Sequence, residues 1–315
     1  MMSKKYAIGI DLGGTNLRVA LVSQEGEIAR KIKKASSEEV FNSLLETIEE
    51  IMQGDIAGIG LGVAGLIDRK NGRVFSSPNH RAVEGLDLIE GIQRKFNLPV
   101  YLENDANVAA LGEKVSGAGK NFENFILLTL GTGIGGGIIY KGELLDVSAE
   151  IGHMSINAEA EKCPCGNIGC LENYASARAM IAKAVAMLEK GAESMLKNCC
   201  NGSIYKITPE DIYKSALEGD TLSREILRDA GRALGVGLAN IINILSPEAI
   251  ILAGGLIGAW NIYVQEAIRE ASRRAFKDVF EAVKIIPSSL GDDAGIVGAA
   301  SLVFMKTAKN TTPRF

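Results

Sequence analysis

The chain has 315 residues, with 34 Lys or Arg against 38 Asp or Glu, so its formal net charge is -4. At about 100–200 residues per domain, this length suggests two domains, each large enough for its own core. The slight acidic balance carries no long run of one sign, which argues against a nucleic-acid partner, and the apolar stretches are shorter than the roughly 18–20 residues that span a bilayer.

The N-terminus predicts a cytoplasmic protein. After Met1 the chain passes through Lys4 and Lys5 into an alternating strand, without the apolar segment and cleavage site of a secretory signal. The number of cysteines is five, which is odd. Metal binding or simple burial is therefore expected for them, and a disulfide framework is not.

The N-terminal part predicts an antiparallel meander followed by alternating strands and helices. Ser36 and Glu39 form a capping-box pattern before a helix over about 40–52. The predicted strands are 6–11, 17–22, 27–35, 56–65 and 99–105, and the other helices are 86–96 and 106–115. This alternation favours a sheet covered by helices.

A second strand, turn and strand arrangement follows the small, polar stretch at 117–121. Its strands are FILLTL and GIIYKGEL, over 125–130 and 137–144. Beyond it, we predict helices over about 175–200, 209–218, 221–245, 259–277 and 293–307, and strands over 249–255 and 283–287. The repeated arrangement indicates an α/β protein with two halves built on one plan.

Two glycine-rich turns connect predicted strands: DLGGTNLR at 11–18 and LGTGIGGG at 130–137. In such turns the backbone can approach an anion closely and offer N–H groups to it. The second turn matches G-x-G-x-x-G, but a strand follows it where a dinucleotide site requires a helix. A single turn of this kind is best explained as a hairpin that needs positive φ. The presence of two favours phosphate binding.

Asp11 ends an apolar strand, where burying a carboxylate is costly unless it meets a cation or donors. A position near Mg²⁺ is the functional interpretation, and a turn capped by the aspartate itself is the alternative.

The motif ENDAN places Glu103, Asn104 and Asp105 where a strand gives way to a helix, the usual position of site residues in open α/β sheets. Taken alone, Asp105 is best explained as a helix N-cap. Beside two phosphate-type turns, it is the best-placed carboxylate to take the proton of an acceptor hydroxyl. Asp105 is therefore the candidate catalytic base.

One histidine and three cysteines have the composition of a structural zinc site. The four residues are His153, Cys163, Cys165 and Cys170. With four protein ligands, the metal would brace a loop and leave no open position for chemistry. Buried or reactive thiols are the alternative, and Cys199 and Cys200 are interpreted as structural.

Glu150 and Glu172 flank this predicted metal loop. Held beside a braced loop, two carboxylates are suited to accept hydrogen bonds from vicinal sugar hydroxyls. Ordinary surface glutamates are the alternative.

In this order along the chain, the motifs resemble those of the ROK family of sugar kinases and repressors, within the actin-like ATPase superfamily. The motifs are DLGGTNLR, ENDAN, LGTGIGGG, EIGH, CPCGNIGCLE and LAGG, and they cover nearly the whole chain. The resemblance implies that Asp105 is the catalytic base. The sugar contacts that it implies are Asn79, Asn104, Asp105, Glu150, His153 and Glu172. The nucleotide or phosphate contacts are Asp11, Gly13, Gly14, Thr15, Thr132, Gly133, Gly254 and Gly255.

The resemblance implies two actin-like α/β domains with an interdomain cleft: 1–118 plus about 293–315, and 119–292. They would close on ATP, Mg²⁺ and a hexose, and the γ-phosphate would pass to the sugar 6-hydroxyl. Glucose is the first choice of acceptor, ahead of fructose, mannose, N-acetylmannosamine and N-acetylglucosamine. Polyphosphate stays open as a donor, and a homodimer or homotetramer is expected.

A sugar-sensing transcriptional regulator is the competing class. Regulators of this family carry an additional N-terminal winged-helix segment, for which the start of the first motif at Asp11 leaves no room. Two departures from the family's glucokinases bear on the identity of the sugar: HRAVEGLDL follows Asn79, and Ser148-Ala149 precedes Glu150 where Ala-Gly is more common.

Overall fold

A computed structural model describes residues 5–14, 16–36, 39–68, 71–77, 83–160 and 162–311. Thr15 and Asn79 lie outside these ranges, so their phosphate and sugar contacts stay predictions. The side chain of Cys200 is also outside the described part. No helix among the described residues is both long and apolar enough to cross a membrane.

The chain separates into two compact units. The first comprises Met1–Leu127, Gly137–Ala149 and Ser288–Phe315, and the second comprises Leu128–Gly136 and Glu150–Pro287. The division passes through two strands, β8 (Phe125–Leu130) and β9 (Ile134–Tyr140). The domain boundaries at 118 and 293 stay predictions.

The sheet of the first unit has the order β3-β2-β1-β4-β7. Its strands are β1 (Tyr6–Leu12), β2 (Asn16–Ser23), β3 (Ile28–Ala35), β4 (Ile56–Val63) and β7 (Val100–Asn104). The first three form the predicted antiparallel meander, and β4 pairs in parallel with both β1 and β7. In register, Leu12 lies beside Val63, and Val63 lies beside Asn104. The carboxyl ends of the three parallel strands therefore share one edge.

Helices cover this sheet. They are α1 (Val40–Ile51), α2 (Leu88–Phe96), α3 (Asp105–Ser116) and α10 (Ala294–Thr311). Helix α10 approaches β1 and β4 so closely that a Cβ on Gly9 or Gly60 would lie 1.9 or 1.8 Å from a helix carbonyl oxygen. Glycine at these two strand positions is what permits α10 to pack there. A short hairpin, β5 (Leu66–Asp68) and β6 (Arg73–Ser76), follows β4.

The second sheet has the order β10-β9-β8-β11-β12. Its remaining strands are β10 (Glu143–Leu144), β11 (Ala249–Ala253) and β12 (Lys284–Pro287), the last two parallel. The helices of the second unit are α4 (Glu172–Ala175), α5 (Ala177–Glu189), α6 (Pro209–Leu217), α7 (Thr221–Leu245), α8 (Gln265–Arg274) and α9 (Lys277–Ala282). Strands and helices of both units confirm the α/β class.

Three predicted elements are interrupted in the structure. The helix expected over 175–200 ends at Glu189, because Gly191 has a φ of 88°, and a 3₁₀ segment occupies Met195–Gly202. The helix expected over 259–277 is a π segment, Trp260–Val264, that continues directly into α8 and ends at Arg274, and α9 begins at Lys277. The strand expected over 137–144 turns at Lys141 and Gly142, both with positive φ.

The capping box predicted at Ser36 is wrong. Helix α1 begins four residues later, and its N-cap position is Glu39, which makes no side-chain cap. The Ser36 hydroxyl instead donates to the carbonyl oxygen of Gly13 at 3.0 Å. The serine therefore braces the first glycine-rich turn and does not start a helix.

Asp220 is a buried N-cap. Its carboxylate accepts hydrogen bonds from the backbone N–H groups of Ser223 and Met195, both at 2.8 Å, and from the Ser194 hydroxyl at 2.9 Å. Burial raises the pKa of Asp220, but these hydrogen bonds outweigh burial, so the net shift is downward. The ionised form therefore stabilises the fold above the ordinary pKa, and that stabilisation is lost as pH falls through the folded-state pKa.

We expect Asp220→Ala to lower the free energy of unfolding at pH 7 by about 1–2 kcal/mol, the usual cost of losing a cap. The loss should shrink below about pH 4, because the unfolded wild-type chain then binds a proton that the folded carboxylate resists. Urea unfolding at pH 7 and pH 3.5 measures both values. Asp220→Asn keeps a capping oxygen and should lose less, whereas an equal loss at the two pH values would contradict this role.

Candidate functional site

The junction between β7 and α3 is held by Asn104. Its side-chain Oδ1 accepts the N–H groups of Ala106 at 2.9 Å and Asn107 at 3.3 Å, and its Nδ2 donates to the carbonyl oxygen of Gly65 at 3.0 Å. Asn104 is thus the N-cap of α3, and Asp105 is the first helical residue. The explanation of Asp105 as the N-cap is therefore wrong.

Asp105 is half-buried at the start of α3, and its Oδ1 lies 2.9 Å from the N–H of Ala106. Because Asn104 already caps the helix, the local structure does not require an aspartate at position 105 for capping. The carboxylate stands at the sheet edge where β1 and β4 also end.

The first glycine-rich turn leaves β1 at this same edge. Gly13 donates its N–H to the carbonyl oxygen of Asn16 at 3.0 Å, and Gly14 is exposed. The turn therefore keeps a tight hairpin geometry next to the carboxyl ends of the parallel strands.

Asp11, just before this turn, meets a cation within the protein. Arg18 donates from Nη1 to Asp11 Oδ2 at 2.9 Å and from Nη2 to Asp292 Oδ2 at 2.9 Å. Burial raises the pKa of Asp11 above its ordinary value, although Arg18 partly opposes the shift. The sequence interpretation missed Arg18, but the signal was present: the two residues face each other across the β1–β2 hairpin.

The second glycine-rich turn is tied to Glu172. Ile134 donates its N–H to Glu172 Oε2 at 2.8 Å, and Arg178 Nη2 donates to Oε1 at 2.6 Å. A Cβ on Gly133 would lie 2.4 Å from the same Oε2, so a larger residue there would displace the Glu172 carboxylate. Glu172 is therefore not an ordinary surface acid: its side chain is 12% exposed, and it fixes the turn between β8 and β9.

The glycines after β11 differ from each other. Gly254 has a φ of 91°, and a Cβ there would lie 2.4 Å from the carbonyl oxygen of Leu130. A Cβ on Gly255 would meet nothing within 4 Å. Packing thus explains Gly254, while the adenosine contacts of both glycines stay predictions, as does the phosphate contact of Thr132.

The four predicted metal ligands come together. One ligand atom from each of His153, Cys163, Cys165 and Cys170 lies within 4.8 Å of all the others. The chain turns between them at Gly166 and Gly169, with φ of 94° and 70°. These residues form a cluster that could hold a metal ion, and they are called the Cys₃His cluster below.

The chemistry of the Cys₃His cluster fits a cation. His153 Nδ1 is buried and has no hydrogen-bond partner in the described part of the chain. Cys165 Sγ and Cys170 Sγ lie 3.6 Å apart. A soft ion bound by thiolates would satisfy the imidazole nitrogen and separate the sulfur atoms as ligands.

The thiols of the cluster do not all ionise by themselves. Burial, together with hydrogen bonds that the Cys170 thiol donates to Cys165 and Cys163, raises the pKa of Cys170 to about 12. Burial also opposes ionisation of Cys163, but the Cys165 N–H and the neighbouring side chains outweigh it and lower the pKa of Cys163. Metal binding at neutral pH would therefore displace protons from the cluster.

Glu150 lies on the other side of the His153 ring from the buried Nδ1. Its Oε2 is 3.9 Å from His153 Nε2; Glu150 directly precedes the 3₁₀ turn Ile151–His153, and His153 ends it. Burial raises the pKa of Glu150, with His153 lowering it and Glu172 raising it further.

Ala149, directly before Glu150, has a φ of 46°. This left-handed conformation is the one that glycine adopts without strain. Ala149 therefore stands in a backbone conformation suited to glycine, the residue that the family more often has at this position.

Comparison with known proteins identifies the class. The sequence model of the ROK family matches residues 7–306. The chain therefore belongs to the ROK family, and its fold is that of two actin-like α/β domains.

Individual relatives include enzymes and regulators. A glucokinase of Thermotoga maritima is 36% identical, over 96% of this chain and 98% of its own length. A xylose repressor of Caldicellulosiruptor bescii is 33% identical, over 94% of this chain and 77% of its own. The crystal structure of a ROK family glucokinase from Streptomyces griseus, in complex with glucose and AMPPNP, superposes with a TM-score of 0.81 at 32% identity, covering 95% of this chain and 99% of that one.

We expect the purified chain to carry about one thiolate-bound metal ion and Cys163→Ser to lose most of it, since three ligands hold a tetrahedral ion far less tightly than four. Metal analysis and release to a chromogenic chelator measure the content. Cys199→Ser is the matched control, because Cys199 Sγ lies near Met195 and Ser215, away from the cluster in sequence and contacts. Equal metal content in both variants would exclude the Cys₃His cluster as the site.

Proposed function

We propose that this chain is an ATP-dependent hexose kinase that transfers the γ-phosphate to the sugar 6-hydroxyl, with glucose as the preferred acceptor. The observation that supports it most is the register of the first sheet. It brings the turn after β1 and Asp105 after β7 to one edge, with only β4 between the two strands. Phosphoryl transfer needs such a phosphate-binding turn together with a carboxylate that accepts the hydroxyl proton.

Asp105 acts as the general base in this proposal. Its carboxylate accepts the proton of the 6-hydroxyl as the oxygen attacks the γ-phosphorus and the bond to the β-phosphate oxygen breaks, releasing ADP. Asn104 supports this step by capping α3, which fixes the first helical residue. Mg²⁺ bound to ATP would neutralise part of the negative charge of the phosphates.

The remaining roles follow the family resemblance. The proposed sugar contacts are Asn79, Asn104, Glu150, His153 and Glu172. The proposed phosphate contacts are Gly13, Gly14, Thr15, Thr132 and Gly133, with Gly254 and Gly255 near the adenosine and Asp11 toward Mg²⁺. In the Cys₃His cluster we propose Zn²⁺, held by three thiolates and His153 Nδ1. The opposite nitrogen, Nε2, is then left to face Glu150 and the sugar.

The glucokinases of T. maritima and S. griseus support this proposal, and the xylose repressor is the reason for a second candidate. In that alternative, the chain binds a sugar as a signal and transfers no phosphate. Fructose, mannose, N-acetylmannosamine and N-acetylglucosamine are the alternative acceptors within the kinase class. A homodimer or homotetramer in the cytoplasm stays a prediction.

A coupled ADP-release assay over these five sugars, with ATP and Mg²⁺, tests the kinase. We expect turnover to depend on the sugar and to be fastest with glucose. ATP consumption that is equal with and without every sugar would overturn the proposal. If calorimetry detects glucose binding but the assay detects no turnover, the result would favour the alternative in which the chain binds a sugar as a signal.

We expect Asp105→Asn to lower kcat by about 10²–10⁴-fold, the range that general-base catalysis contributes. The amide keeps the shape of the side chain, so the glucose Kd should change much less. Asp278→Asn, an exposed acid in α9, is the control and should keep wild-type kcat. Wild-type turnover in Asp105→Asn would remove this residue from the mechanism.

A further inference from the structure

The side chain of Asn107 carries a cost in folding free energy at its position. It lies in the first turn of α3 and is fully buried, and its Oδ1 has no hydrogen-bond partner in the described structure. A buried polar atom without a partner costs about 1–3 kcal/mol. This cost is offset by the hydrogen bonds that the other polar atom of the side chain, Nδ2, makes.

That atom is Nδ2, and it makes two hydrogen bonds. It donates to Glu103 Oε1 at 3.0 Å and to the carbonyl oxygen of Val147 at 3.2 Å. The two acceptors are 44 residues apart in the sequence, on either side of β8 and β9. One amide group therefore joins the end of β7 to the segment after β10.

The bond to Glu103 fixes the junction that carries the proposed base. Glu103 is only 7% exposed, and the same Oε1 accepts the N–H of Asn104 at 2.9 Å. Asn107 thus holds the carboxylate that accepts the N–H of Asn104, the residue directly before Asp105.

The bond to Val147 fixes the segment that leads to Glu150. Ala149, between them, has a φ of 46°, a conformation that costs a non-glycine residue on the order of 1–3 kcal/mol and persists only where the surroundings impose it. Leu145 bonds to the Ile138 carbonyl oxygen at 2.9 Å, and Asn107 holds the Val147 carbonyl two residues further on. These contacts impose the backbone path from which Glu150 departs.

We propose that Asn107 is a positioning residue for phosphoryl transfer. It holds the Asn104–Asp105 junction through its bond to Glu103, and it holds the segment that leads to Glu150 through its bond to Val147. The inference rests on the proposed kinase function. In this proposal Asn107 does not contact a substrate. Its two hydrogen bonds affect different kinetic constants: the Glu103 bond affects kcat, and the Val147 bond affects the KM for sugar.

The test is Asn107→Asp, which keeps the shape but replaces the donor by an acceptor facing a carboxylate and a carbonyl. We expect kcat to fall at least about tenfold and the sugar KM to rise at least about threefold at pH 8. At lower pH the introduced carboxyl binds a proton and can donate it to Glu103, so kcat should recover partly toward pH 6.

A second substitution separates the two bonds. Glu103→Ala removes the Glu103 bond alone, because the Asn107 amide can still donate to the Val147 carbonyl oxygen. We expect kcat to fall at least about tenfold without recovery toward pH 6, while the sugar KM stays within about threefold of wild type. Asn107→Ala, which introduces no repulsion, should show both losses at either pH.

Asp220→Ala is the control for stability, since it destabilises a helix cap in the second unit without touching these residues. We expect it to keep the wild-type kcat and KM at a temperature where every variant is folded. Unchanged constants in Asn107→Asp and Asn107→Ala, or a sugar KM raised as much in Glu103→Ala as in Asn107→Asp, would overturn the inference. Wild type without sugar-dependent turnover would instead overturn the proposed function.

Discussion

The parallel pairing of β1 and β7 with β4 is the constraint on which the candidate site depends. Parallel strands in register end at one edge, so Leu12, Val63 and Asn104 lie side by side and the segments that follow them are neighbours. Close packing of α10 on Gly9 and Gly60 covers the strands that make this edge. The phosphate-type turn and the carboxylate of Asp105 are brought together by backbone hydrogen bonds, with no contact between their own side chains required.

Most polar groups around the predicted catalytic and binding residues hold other groups in place. Asn104 caps α3, Ser36 braces the first glycine-rich turn, and Glu172 fixes the second turn through Ile134. Each of these bonds costs side-chain entropy and leaves fewer conformations for the residues beside it. Such preorganisation is what phosphoryl transfer requires, because the reaction depends on position and charge far more than on covalent chemistry by the protein.

The Cys₃His cluster would restrain a loop in a similar way if it bound a cation. Residues 164–168, between Cys163 and Cys170, are exposed, and two glycines with positive φ allow the chain to turn back on itself. A bound cation would replace the missing core of this loop and use the buried Nδ1 of His153. Structure in the loop, and hence the orientation of His153, would then depend on the metal.

The sequence by itself determined the features that depend on near neighbours in the chain. Alternating apolar residues predicted the first meander, the C-x-C-x4-C spacing with His153 predicted the cluster, and the order of motifs predicted the ROK family. Only the tertiary structure decided that Asn104 and not Asp105 caps α3, that Glu172 bonds Ile134, and that Asn107 bonds Val147. The last two contacts join residues about 40 positions apart, and both candidate caps are chemically suitable. Hydrophobic periodicity and motif spacing do not determine the cap or these two hydrogen bonds, because strand register and helix packing across the fold determine them.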